Sequence, residues 1–128
     1  MAFDLHGPSR LVQIDTEHEA LFELPERYGE PVAFLPQLWQ KFYQESMIGA
    51  DSVAQFRSEL LRLLQHRRTE IESEVVKSRK VFAHDPAVRE SIIVRLLRQD
   101  PLYSKLEELG ELCDDCLSQN AGIRCVGD

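Results

Sequence analysis

The side chains in this sequence best suited to chemistry are three cysteines, Cys113, Cys116 and Cys125. Cys113-Asp114-Asp115-Cys116 has the separation at which a thiolate pair holds half of a tetrahedral zinc site. Cys125 is a candidate third ligand, with His66 or His84 as a fourth. A plainer account competes. Cys113 and Cys116 continue the helical stripe of Leu102, Leu106 and Leu109, where a cysteine serves as a small hydrophobe. No second pair has ligand spacing, so neither a metal nor any other cofactor is expected. A redox role is disfavoured too. The two aspartates between the thiols oppose thiolate formation, and no βαβ pattern surrounds them.

The histidines are His6, His18, His66 and His84. None lies in a local catalytic motif. The chain has no glycine-rich phosphate loop, no G-x-S-x-G and no H-E-x-x-H. With six glycines, tight ligand-binding turns are scarce. The expectation is a protein that is not an enzyme.

Charge carries more information. The net charge is −7, which disfavours nucleic acid and anionic membrane as partners. Residues 1–35 hold seven acids and two bases, residues 36–100 nine and eleven, and residues 101–128 six and two. Two acidic sets therefore flank a nearly neutral middle. One is Asp15, Glu17, Glu19, Glu23, Glu26 and Glu30. The other is Glu107, Glu108, Glu111, Asp114 and Asp115. Most such carboxylates only keep a surface hydrated, but a clustered set can dock on a basic protein and speed its association. These eleven are the candidate partner-binding residues.

The bases Arg62, His66, Arg67, Arg68, Lys77, Arg79 and Lys80 are interleaved with Glu59, Glu70, Glu72 and Glu74, as on a solvated mixed-charge helix face. Glu70, Ser73 and Lys77 share one such face. Arg89, Arg95 and Arg98 on a later helix are too sparse for a DNA-recognition helix.

Those groups must be positioned by elements legible in the pattern. After the breaker pair Gly7-Pro8, Leu11-Val12-Gln13-Ile14 favours a strand. Ala20-Leu21-Phe22-Glu23-Leu24 is either the second arm of a hairpin or part of a helix from Thr16 to Leu24, with Thr16 and Glu19 in capping-box spacing. Tyr28-Gly29-Glu30-Pro31 reads as a turn. Phe34, Leu35, Leu38, Trp39, Phe42 and Tyr43 then form a helical face, with Trp39 expected to anchor the core. Met47-Ile48-Gly49-Ala50 interrupts it.

Ser52 and Gln55 offer a capping box for a helix with Val53, Phe56, Leu60, Leu61, Leu63 and Leu64. Thr69 and Glu72 offer another, so Ile71, Val75, Val76 and Phe82 belong to a new helix or a continuation. Asp85-Pro86 and Asp100-Pro101 each set a good N-cap before a proline in the first turn. They open helices carrying Val88, Ile92, Ile93, Leu96 and Leu97, and then Leu102, Leu106, Leu109, Cys113 and Cys116, expected to pair as a hairpin. Residues 120–128 lack a pattern and read as a loose tail.

The expected architecture is mainly α, a bundle of about five helices with a short N-terminal segment able to form a β-hairpin. One domain covers residues 1–128, with a mixed segment at 1–33, the bundle at 34–119 and the tail at 120–128. No apolar run nears the ~18 residues of a membrane span, and the N-terminus lacks the pattern of a signal peptide. The expected location is the cytoplasm.

Together these features suggest a protein-binding inhibitor that neutralises a partner by occlusion, like toxin-immunity proteins and antitoxins, with a basic toxin or effector as partner. The alternatives are a homo-oligomeric structural or adaptor protein, and a DNA-binding or zinc-stabilised transcriptional regulator.

Overall fold

In a computed structural model, residues 2–40, 45–77 and 85–127 are described. Among them are five α-helices and a small antiparallel sheet, so the chain is mainly α. Phe42, Tyr43, Arg79, Lys80, Phe82 and His84 lie outside the described residues.

The chain opens with a hairpin, one strand earlier than the sequence pattern suggests. Strands β1 (Ala2–His6) and β2 (Leu11–Asp15) pair from Ala2↔Asp15 to His6↔Leu11. Gly7 closes the turn by donating its N–H to the Arg10 carbonyl at 2.8 Å. The run from Ala20 to Leu24 is therefore not the second arm. It belongs to a 3-10 helix, Thr16–Glu23, that leads into α1, Leu24–Tyr28. The cap falls on Asp15 rather than Thr16, with His18 as its reciprocal partner. Gly29 ends α1 at φ 66°, the left-handed conformation that glycine adopts without strain.

Helix α2 spans Phe34–Gln40. Glu59, 3% exposed, caps it from the next helix, α3 (Val53–Lys77), accepting from the N–H groups of Ala33 at 2.8 Å and Phe34 at 3.1 Å. Leu35 and Leu38 turn inward, but Trp39 is 46% exposed and does not anchor the core. It packs on Phe22 at the surface instead.

The Met47 interruption contains strand β3, Ser46–Ile48. The expected loose tail contains β4, Ile123–Gly127, which runs between β1 and β3. The sheet order is β2-β1-β4-β3. Phe3, Leu5, Val12, Ile14, Ile123 and Cys125 alternate onto its buried face. This period-2 pattern is short in each strand, and the partners of β4 come from the opposite end of the chain and from its middle. Its apolar residues become strand-forming only once that pairing exists.

Helix α3, Val53–Lys77, is continuous. It is entered through the 3-10 turn Ala50–Ser52 behind Gly49. Thr69 does not start a new helix, because its hydroxyl donates back to the Gln65 carbonyl inside α3.

The two Asp-Pro starts stand where the sequence puts them. Asp85 caps α4, Pro86–Gln99, and Asp100 caps α5, Pro101–Ser118. These two helices do not fold back on each other. Arg57–Asp114, Arg67–Asp100 and Arg68–Glu90 succeed one another along α3 in antiparallel order. Helix α5 thus lies on the N-terminal half of α3 and α4 on its C-terminal half.

Two cores result. The main one joins α3, α5 and the sheet. A smaller one, Ile71, Val75, Ile93 and Leu97, holds α4 to the end of α3. No helix among the described residues is long and apolar enough to cross a membrane.

Candidate functional site

The three cysteines are all buried in the main core and unbridged. Burial pushes the Cys113 thiol up to about 12, with the neighbouring Cys116 and Asp114 adding to the shift. Burial and Asp115 raise Cys116 as well. Both are thiols at neutral pH and poor ligands or nucleophiles. His66 is committed elsewhere. Its Nε2 lies 2.7 Å from Glu30, and its ring stacks on Tyr28 with centroids 5.1 Å apart.

Four members of the basic cluster, Arg62, His66, Arg67 and Arg68, each reach a carboxylate. Arg62 donates to Glu30 at 3.1 Å, and Arg68 to Glu72 and Glu90 at 2.8 and 2.7 Å. Arg67 reaches Asp100 with two nitrogens and also contacts Glu70. Glu70 in turn pairs with Arg27 and accepts from the Tyr28 hydroxyl at 2.6 Å. Burial and this hydrogen bond raise the Tyr28 pKa. The His66 hydrogen bond, aided by Arg62, lowers that of Glu30 against a desolvation effect of opposite sign.

The result is a seam fastening α1 and the turn after it to α3. Beside it runs an open groove of about 490 Å³ lined by Arg27, Tyr28, His66, Glu70, Ser73 and Lys77, among others. Glu70, Ser73 and Lys77 do share a face, as their spacing implies. Sequence alone does not pair Glu30 with residues more than thirty positions away, so its role as an internal clamp was not legible.

The two acidic sets have different fates. On α5, four of five carboxylates are engaged. Glu108 pairs with Lys105 at 3.0 Å, Glu111 with Arg10 at 2.9 Å and Asp114 with Arg57. Asp115 accepts from the Ser9 N–H at 2.9 Å and from Gln119 at 3.2 Å. Glu107 is exposed and unpaired among the described residues.

In the N-terminal set, Asp15 and Glu30 are used internally. Glu17, Glu19, Glu23 and Glu26 are exposed. The His18 ring Nε2 lies 3.8 Å from the Glu17 carboxylate. The side chains of Glu19, Glu23 and Glu26 form no ion pair or hydrogen bond among the described residues. In the middle of this stretch Phe22 meets Trp39, ring centroids 5.1 Å apart and tilted by 41°.

Asp15, Glu17 and His18 also bring potential ligand atoms within 4.8 Å of one another. The spacing i, i+2, i+3 at the start of the 3-10 helix creates that closeness. His18 Nδ1 accepts from the Asp15 N–H at 3.3 Å, completing the cap.

Compared with protein-family models, with curated proteins and with solved structures, the chain matches none.

Proposed function

We propose that this protein is a binding inhibitor that neutralises a partner protein in the cytoplasm by covering its active surface, as toxin-immunity proteins and antitoxins do. The observation behind this reading is the division of the acidic residues. Glu19, Glu23 and Glu26 stay exposed with no cation paired to them among the described residues, whereas most carboxylates of α5 are paired within the fold. Unpaired carboxylates grouped on one short segment give a local negative field. Such a field draws in a basic surface and aligns it, raising the on-rate more than the lifetime of the complex. The partner that fits is basic at its working site, as enzymes acting on nucleic acids or nucleotides are.

The test is co-expression with the product of the neighbouring gene. Rescue of growth by the wild-type chain is expected, with loss of rescue in Glu19→Lys/Glu23→Lys/Glu26→Lys. Persistent toxicity with the wild-type chain, or full rescue by the charge-reversed variant, defeats the proposal.

A second reading is self-association, and one observation favours it. Among the described residues the small core is built by α3 and α4 with Tyr103 of α5 packed against it, and Val76 and Val88 are 56% and 38% exposed. A homo-oligomer would cover them. Light scattering across a concentration series would then give a mass above that of one chain, returning to the monomer value in Val88→Glu.

A further inference from the structure

We infer that α4 is a strap that opens from the end of α3 as a separate unit, pivoting at Asp100, while the main core stays folded. Its opening uncovers the apolar face of α3 that carries Ile71 and Val75.

The division begins in the sequence of α3. Val53, Phe56, Leu60 and Leu63 of its first half lie in the main core, and Ile71 and Val75 of its second half lie in the small one. Between them run Gln65-His66-Arg67-Arg68-Thr69-Glu70, polar residues throughout, which cover about 9 Å of helix. No residue of α4 belongs to the main core, and no buried residue belongs to both. Among the described residues the small core has four buried side chains, Ile71, Val75, Ile93 and Leu97, against twenty in the main one. Tyr103 of α5 is only partly buried against it. Cooperative unfolding needs shared apolar packing, so parts joined across a polar belt can open at different free energies.

Asp100 is the single residue between α4 and α5, and its backbone is extended at φ −80° and ψ 115°. Pro101 keeps it so, because the residue before a proline avoids the helical region. The two helices therefore cannot merge into one. Asp100 is also fixed to the body of the molecule, by the Arg67 fork and by its cap on the Tyr103 N–H. Beyond that pivot α4 is fastened by its small core and by Arg68–Glu90, a partly exposed ion pair of the kind that contributes little. Once off α3, a helix of fourteen residues is marginal in water. The open strap loses its backbone hydrogen bonds, so hydrogen exchange reads the opening directly.

Native-state hydrogen exchange of the full chain, followed by mass spectrometry in urea below the unfolding transition, tests this. Helix α4 is expected to exchange through an opening that depends weakly on urea, because little surface is exposed in it. Helix α5 should exchange through global unfolding, which depends on urea strongly. Two conservative variants separate the events, Ile14→Val in the main core and Ile93→Val in the small one. Ile14→Val should speed the exchange of α5 by about threefold to tenfold and leave α4 within about twofold of wild type. The main core is intact before and after α4 opens, so its loss of one carbon does not enter that step. Ile93→Val should speed both helices by a similar factor, since the small core is lost in either event.

If Ile14→Val speeds α4 as much as α5, the strap leaves only with the whole fold and the inference is overturned. An α4 that exchanges without protection in the wild type would overturn it as well, since the strap would then never be closed.

Discussion

Arg67 grips Asp100 with a fork, Nε to Oδ2 at 2.8 Å and Nη2 to Oδ1 at 2.7 Å. The carboxylate has a second task, since Oδ2 accepts from the Tyr103 N–H at 2.9 Å and so caps α5. One residue thereby sets where α4 stops, where α5 starts and how both lie on α3. Asp100→Ala removes the ion pair and the cap together and is expected to destabilise the protein by about 3 kcal/mol. Asp100→Asn keeps an acceptor for the cap. It should recover about 1 kcal/mol of that loss in urea unfolding.

The same pair makes stability depend on pH. Burial raises the Asp100 pKa, but the hydrogen bonds from Arg67 and the Tyr103 N–H, with the charge of Arg67, bring it below the ordinary value. The folded state therefore binds this proton less readily than the unfolded state. The stabilisation is complete above the unfolded pKa of about 3.9 and is lost as pH falls through the lower folded value. Between neutral pH and pH ~3 the wild type should lose more stability than Asp100→Asn. Equal losses in the two proteins would contradict this assignment.

Glu59 makes a comparable claim about α2. It is almost fully buried, and each oxygen accepts from a different backbone N–H, those of Ala33 and Phe34. Glu59→Ala leaves both donors without that partner and should cost about 2–3 kcal/mol. Glu59→Gln retains one oxygen and should cost less. Because α2 carries Trp39, a loosened α2 should also shift its emission toward that of solvated tryptophan before global unfolding. A single transition with unchanged native emission would show that Glu59 does not position α2.

Legibility followed the range of the determining interactions. Asp85-Pro86 and Asp100-Pro101 were readable because a cap acts over three residues and a proline over one. The apolar faces of α3 and α5 were readable because their period lies within the helix. Strands β1, β3 and β4 were not, since the pairing of Phe3 with Gly127 and of Ile48 with Ile123 spans the chain or joins its middle to its end. Trp39 looked like a core residue because it sits in an apolar stripe, yet α2 buries only Leu35 and Leu38 fully. Of the candidate partner-binding residues, the sequence located the acids but not their bonds. Only the fold separates Glu30, clamped by Arg62 and His66, from Glu23 and Glu26, which stand free of ion pairs among the described residues.

Three glycines should respond differently to the same added methyl group. A Cβ at Gly122 would lie 2.5 Å from the Ile48 carbonyl oxygen, where β4 leaves its turn beside β3. Backbone cannot move aside cheaply, so Gly122→Ala should destabilise by about 2–3 kcal/mol. At Gly7 the Cβ would meet Leu112 Cδ1 at 2.6 Å. A side chain can rotate, and the expected cost is nearer 1 kcal/mol. Gly110 lies inside α5 with nothing within 4 Å of the added atom. Gly110→Ala should stabilise by about 0.5–1 kcal/mol through helix propensity and reduced unfolded-state entropy. Chemical denaturation of the three variants tests the order, and a destabilised Gly110→Ala would expose a missing neighbour at that face.

The cysteines give the sharpest separation between a packing role and a ligand role. Cys113 and Cys116 lie on the buried face of α5, and Cys125 faces the same core from β4. The thiol of Cys116 also makes a weak 3.7 Å hydrogen bond to the Gly122 carbonyl. Thiols so placed should react with a disulfide reagent at pH 8 only when the protein opens, because the raised pKa of Cys113 and the burial of all three suppress thiolate and access together. All three should label at the rate of global unfolding, and sub-denaturing urea should accelerate them in parallel. The zinc-stabilised alternative makes the opposite forecast: purified protein would carry about one zinc per chain, and a chelator would lower its Tm. Serine at position 113 or 116 distinguishes the two further. If the sulfurs only pack, each substitution should cost about 1–3 kcal/mol from placing a hydroxyl in an apolar site, with the same loss whether or not a chelator is present.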